Sequence, residues 1–148
     1  TQSFAGAAAR AAFRARWLGR FLEHDAEHVW LALAPSGEVA GYLVGCLDDP
    51  ARTARFSDIG YFATFAGLTR HYPAHLHINL AARWRGAGAG SRLVAAFTAD
   101  AARRGAPGVH AVTGQGMRNV GFYTRNGFAA VGHTQWHGRD IVMLGRRL

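Results

Sequence analysis

The residue types best suited to chemistry fall in two neighbouring stretches. In Ala74–Leu80 (AHLHINL), Leu76, Ile78 and Leu80 alternate with His75, His77 and Asn79. A period of two marks a half-buried strand, so the two imidazoles share one face. An imidazole suits proton transfer near neutral pH, which makes His77 and His75 candidate general bases. The same spacing, with His71, is also that of a partial zinc site. No nearby cysteine or carboxylate completes the shell, so no metal is expected. The second stretch, Arg85-Gly86-Ala87-Gly88-Ala89-Gly90, leads into a further run with Leu93, Phe97 and Ala101 four apart. Glycines let backbone N–H groups converge, and a following helix adds four unpaired N–H groups and a positive dipole end. The combination suits a pyrophosphate. It lacks the Gly-Lys-Ser/Thr of a P-loop and a well-placed acidic residue for a dinucleotide ribose, which sets ATP and NAD aside. A plain flexible glycine turn is the alternative reading of this loop. Asp48-Asp49, beside Pro50, reads as a solvated turn or as a lure for a cationic amine.

The elements that must hold these residues follow from periodicity. Ala7–Leu22 (AAARAAFRARWLGRFL) is rich in helix formers, with Phe13, Trp17 and Phe21 on one stripe. His28–Leu33 and Val39–Leu47, across Ala34-Pro35-Ser36-Gly37-Glu38, read as a β-hairpin. One or two short helices are expected in 51–72. The strand 74–80, the glycine loop and a helix over Ser91–Arg104 come next, closed by Gly105. A strand over Val109–Thr113 and a helix over Arg118–Thr124, ended by Asn126-Gly127, complete the middle. Phe128–Val131 and Ile141–Leu144 are expected to pair across a loop at 132–140. A strand–helix–strand unit among hairpins predicts a mixed sheet in one α/β (α+β) domain spanning 1–148.

Composition narrows the function classes. The 148 residues are 49% hydrophobic and 18% charged, which is the balance of a globular domain rather than a disordered chain. A single cysteine, Cys46, excludes a disulfide framework. No apolar run spans a membrane, and no signal-peptide pattern opens the chain, so a cytoplasmic location and no membrane partner are expected. Seventeen basic residues, all arginine, against nine acidic ones give a net charge of +8, which favours anionic ligands. The arginines run from Arg10 to Arg147 without bunching, and no nucleic-acid partner is expected.

The stretch Leu80-Ala81-Ala82-Arg83-Trp84-Arg85-Gly86-Ala87-Gly88-Ala89-Gly90-Ser91-Arg92-Leu93 resembles the acetyl-CoA signature of the GCN5-related N-acetyltransferases. Arg85, Gly88 and Gly90 fill that signature's places. Phe122-Tyr123-Thr124-Arg125-Asn126-Gly127-Phe128 resembles the family's second signature, and Tyr72–Ile78 resembles a bacterial subgroup related to the acetyltransferase-like domain of O-GlcNAcases. The resemblance covers about residues 10–148, with the family's first strand missing before the opening helix. It implies a mixed, mostly antiparallel sheet with a V-shaped splay between two parallel strands, flanked by helices. It also implies acetyl-CoA or coenzyme A as cofactor, and direct acetyl transfer to an amine of a small molecule or peptide, in a monomer or homodimer. The implied cofactor contacts are Ile78, Asn79 and Leu80 on the strand, Arg85, Gly86, Ala87, Gly88, Ala89, Gly90 and Ser91 at the loop, and Asn119, Phe122, Tyr123 and Arg125 on the later helix. Leu80 N–H would polarise the thioester carbonyl, and Tyr123 would protonate the leaving thiolate. The second signature departs from the family at Gly116 and Asn119, where Asn and Ala are usual. Those departures motivate a second reading, an acetyl-CoA-binding module without transfer activity.

Overall fold

The computed structural model describes residues 3–148. It opens on α1 (Ala7–Arg14), which runs through a π-helical turn at Ala15–Gly19 into α2 (Arg20–His24). The wider π turn is an insertion within one continuous rod. Of the stripe Phe13, Trp17 and Phe21, only Phe21 is fully buried. A 3₁₀ turn leads to β1 (Val29–Leu33), which pairs antiparallel with β2 (Val39–Cys46) as the hairpin pattern predicts. The weakly patterned 51–72 segment forms three single turns: a 3₁₀ turn at Ala54–Phe56, α3 (Tyr61–Thr64) and α4 (Ala66–Thr69). Next come β3 (Ala74–Leu80), a 3₁₀ turn at Ala82–Trp84, α5 (Ala89–Arg103), β4 (Gly108–Gly114), α6 (Arg118–Arg125), β5 (Ala129–Trp136) and β6 (Arg139–Arg147).

The six strands form one sheet in the order β1-β2-β3-β4-β6-β5. Only β3 and β4 run parallel, and they pair over just two positions, Ala74↔Val109 and His75↔His110. Beyond His75 they part, while β3 stays paired to β2 as far as Leu80 and β4 to β6 as far as Gly114. The sheet is therefore V-shaped at its centre, mixed and mostly antiparallel, with helices on both faces. On one face Leu93, Val94, Phe97 and Ala101 of α5 pack on Leu43, Leu76, Val109 and Leu144. On the other, Phe21, Phe56, Phe62 and Phe65 pack on Val44, Cys46 and Met143.

The last hairpin corrects the sequence expectation. The stretch 132–140 is not a loop: β5 and β6 continue to a two-residue turn at His137-Gly138, with φ of 50° and 73°. Two successive positive φ values give the turn a twist that matches its strands. Gly132, which reads as a breaker, lies in the strand under α4, where an added Cβ would meet Leu68 at 2.5 Å.

Phe97 is fully buried at the centre of the face that carries α5. Phe97→Ala leaves a cavity that the sheet cannot close, and urea unfolding should show a loss of about 3–5 kcal/mol.

Candidate functional site

The gap between β3 and β4 exposes backbone, and the register says whose. Ala81 N–H donates to the Ala40 carbonyl at 2.9 Å, one step beyond the Gly41↔Leu80 pair. Bonded and non-bonded pairs alternate along an antiparallel ladder. His75, His77 and Asn79 therefore commit their backbone groups to β2, while Ile78 and Leu80 turn theirs toward the departing β4. The Leu80 carbonyl accepts from Arg85 Nε at 3.1 Å, which ties the loop arginine to the mouth of the gap. Asn79, expected among the strand contacts, is corrected here, because its backbone bonds β2 and only its exposed side chain is free.

The glycine loop closes this gap at its open end. Gly86 and Gly88 have φ of 83° and 82°, a left-handed backbone that only glycine adopts without strain. Gly88 is the N-cap of the fifteen-residue α5, with no side chain capping it. The first N–H groups of the helix thus face outward beside Ala87, Ala89, Gly90 and Ser91. Arg92 returns toward the same point, its guanidinium 3.4 Å from where a Gly88 Cβ would stand. Gly90 is held by close approach: a Cβ there would lie 2.9 Å from Leu80 and 3.0 Å from the Phe122 ring. Strand, loop helix and α6 meet at that one hydrogen-sized position. A diphosphate with an extended amide arm fits these groups, with phosphate at the α5 N-terminus and the arm along Ile78 and Leu80.

On α6, Tyr123 is 4% exposed and packs edge-on against Phe122 and Phe128. Burial alone pushes its phenol above the ordinary tyrosine value, so it keeps its proton at any physiological pH. Asn119 Oδ1 accepts from Thr113 Oγ1 at 2.8 Å, which aims the Asn119 side chain back at β4. Arg125 is exposed, its guanidinium lying back over Gly121.

The opposite face of the gap is aromatic. His77 is half-buried, its ring 4.9 Å from Trp17 and 5.5 Å from Phe21. Trp17 in turn lies 6.2 Å from Trp136, and Trp136 lies 5.0 Å from Tyr61. No periodicity brings Trp17 to His77 or Trp136 to Trp17; the β5–β6 extension that carries Trp136 reads as loop. His75 is corrected as a candidate base. It is 2% exposed, stacked on His110 at 5.4 Å and boxed by Phe56 and Phe62, so no acceptor reaches it. Its partner His110 donates from Nδ1 to the Tyr72 carbonyl at 2.5 Å. Among the described residues no group of three or more His, Cys, Asp or Glu is placed to hold a metal. The acidic pair at 48–49 is occupied as well: Asp48 pairs with Arg55 at 2.9 Å, and Asp49 accepts from Ala51 N–H.

A family model described as the Acetyltransferase (GNAT) family matches residues 3–128. Among solved structures, SsHAT is similar over 92% of this chain and 80% of its own, at 23% identity and a TM-score of 0.71. A ribosomal-protein-alanine N-acetyltransferase from Brucella melitensis is similar over 88% and 76%, at 21% identity and a TM-score of 0.64. A Bacillus anthracis str. Ames protein described as a streptothricin acetyltransferase, in complex with acetyl coenzyme A, is similar over 81% and 61%, at 17% identity and a TM-score of 0.62. At these identities the likeness is one of fold. No helix among the described residues is long and apolar enough to cross a membrane.

The histidines along β3 and β4 make stability depend on pH. Burial, reinforced by neighbouring cationic groups, lowers His77 from 6.5 to about 4 and His75 well below 6.5. Burial also takes His110 to about 4, partly opposed by its bond to Tyr72. All three folded values lie below the unfolded one, so between pH 6.5 and 4 the unfolded chain binds more protons. Stability is full above that window and drains as pH falls through it, by about 1.4 kcal/mol per pH unit for each histidine. NMR titration should find His77 and His110 with midpoints about 4; a His77 midpoint at the free-imidazole value would refute this.

Proposed function

The chain belongs to the acetyltransferase (GNAT) family, and from that premise we propose that it transfers acetyl from acetyl-CoA to an amine by direct attack in a ternary complex. The observation that carries this reading is the pairing of β3 and β4 over only two positions beside a left-handed glycine loop at a helix start. Acetyl-CoA supplies a thioester whose carbonyl is open to attack and whose thiolate is the leaving group. The α5 N-terminus, with Arg92 and the Arg85 side chain at its mouth, would hold the diphosphate. Ile78 and Leu80 would bind the pantetheine amides as an added strand does. Leu80 N–H, pointing into the gap, would stabilise charge developing on the carbonyl oxygen, a contribution of about 3 kcal/mol for a well-aimed donor.

The amine would approach from the aromatic face. Trp17, Trp136 and Tyr61 exclude water there and orient the nucleophile beside His77. The ring of His77 is neutral at physiological pH, so a lone pair is available to take the amine's proton directly or through a water. Tyr123 keeps its hydroxyl proton and would donate it to the departing sulfur. Asn119 and Phe122 line the α6 side of the arm, and Arg125 offers a cation farther along that helix. The kinship with the bacterial subgroup related to O-GlcNAcases rests on Tyr72–Ile78 alone, and the activity is proposed without it.

Calorimetry should find acetyl-CoA binding with an affinity of about micromolar order and no binding of NAD or ATP. Gly90→Val should weaken it about tenfold or more, since the added side chain displaces both Leu80 and Phe122. Absence of binding by the parent chain sinks the enzymatic reading. With a competent amine, Tyr123→Phe should lower kcat about a hundredfold while leaving acetyl-CoA affinity unchanged. Turnover unaltered in that variant removes Tyr123 from the chemistry. His77→Gln distinguishes direct proton transfer, with a loss of about a hundredfold in kcat, from a water relay that leaves kcat nearly intact.

A further inference from the structure

A second cationic feature lies away from the glycine loop. The opening helix and the turn that follows Ala54–Phe56 enclose a hollow of about 610 Å³, whose lining shares no residue with the loop. Ala12, Ala15 and Gly19 give it a floor of small residues, and the π turn at Ala15–Gly19 widens the helix at this point. Four guanidinium groups line it, those of Arg14, Arg16, Arg20 and Arg55, against the carboxylates of Asp58 and Glu23.

The ion pairs leave a surplus of cation. Arg55 is held by Asp25 and Asp48, each at 2.9 Å, outside the hollow. Arg20 grips Asp58 with both terminal nitrogens, at 2.9 and 2.7 Å, and also donates to the Arg55 carbonyl. Its Nε is left buried with no partner, a donor on a charged group that ordinarily demands an acceptor. Arg16 reaches the same, already occupied Asp58 only at 3.4 Å through Nε. Arg14 has no carboxylate partner among the described residues, and its guanidinium folds over Gly19, 3.9 Å from where a Cβ would stand. Glu23 is three-quarters exposed and lies 3.7 Å from His24. The Arg14 and Arg16 forks therefore line a hollow in which Asp58 is already taken by Arg20.

We infer that this hollow is an oxyanion site, taking a phosphate-type group between Arg14 and Arg16, with Arg20 holding Asp58 away from it. Guanidinium forks match tetrahedral oxyanions in a bidentate way and hold them more firmly than a diffuse surface charge does. The group is either a free anion or the anionic end of the acceptor, because the same rod carries Trp17 against His77.

The test is calorimetric titration with inorganic phosphate and with pyrophosphate, at constant ionic strength in chloride. Two double variants are compared with the parent chain. R14A/R16A removes forks from a helical stretch that buries no side chain, so the fold is retained. R85A/R92A removes the arginines of the glycine loop. Binding that falls about tenfold or more in R14A/R16A and persists in R85A/R92A supports the site. No binding by the parent at about 10 mM phosphate overturns it, as does binding unchanged in R14A/R16A or lost only in R85A/R92A. The source is read by comparing O-phosphoethanolamine with ethanolamine as acceptors. A preference for the phosphorylated amine that disappears in R14A/R16A supports the site as part of the acceptor pocket. Phosphate binding with no such preference supports it as a site for a free anion.

Discussion

The acetyl transfer proposed for this chain depends on two parallel strands that pair at two positions and then refuse to pair further. A parallel ladder would normally satisfy the backbone of both strands along their length. Here Gly90, Leu80 and Phe122 meet at the open end. The consequence is a row of unspent backbone donors and acceptors in the middle of a sheet, a costly arrangement unless something occupies it. Both strands are anchored on their outer sides, β3 to β2 and β4 to β6, so the gap is rigid. A rigid, unsatisfied edge beside a helix N-terminus suits a ligand that is a polar extended arm with an anionic head.

Much of this was legible from local pattern. The strand 74–80 and the helix after the glycine loop follow from periods of two and of about 3.6, and their faces emerged as the alternation requires. The loop's chemistry followed from glycine's left-handed backbone. What pattern could not supply was depth. His75 and His77 share a face, yet one is sealed under Phe56 and Phe62 while the other borders the gap. The seal comes from 51–72, a segment of single turns whose aromatic residues have no clean period. Gly132 and the His137-Gly138 pair hid the length of the last hairpin, because glycine under a packed helix and glycine in a turn look alike in sequence. The π turn was hidden for a related reason: one inserted residue leaves composition unchanged and shifts only the phase.

The electrostatics also separate by position rather than by count. Most of the carboxylates are engaged by arginines: Asp58 by Arg20, Asp25 and Asp48 by Arg55, Asp100 by Arg103 and Arg104, and Glu38 by Arg83. Of the guanidinium groups without a carboxylate, Arg85 and Arg92 stand at the glycine loop and Arg14 in the hollow beside the opening helix, while others lie apart, Arg146 on the Asn126 carbonyl and Arg147 over the Tyr72 ring.

That partition bears on how an amine is made reactive. Among the described residues no free carboxylate is in contact with His77, so an ammonium ion entering the aromatic face would gain no ion pair there. On the proposed function, Trp17, Trp136 and Tyr61 would replace its hydration with apolar rings, and desolvation would favour the neutral amine over its protonated form. Attraction of the cation to the indole faces opposes this, by roughly 0.5–2 kcal/mol. Each pKa unit removed from an alkylamine by desolvation is equivalent to about 1.4 kcal/mol, so a shift of two units already exceeds the cation–π term. On the proposed function, the aromatic wall would thus do part of the deprotonation that the weakly basic His77 cannot drive alone. A strong base would itself be charged in this setting, and the same burial that lowers His77 to about 4 would disfavour it. On that proposal the site would therefore gain more from lowering the amine's affinity for its proton than from raising that of its own imidazole.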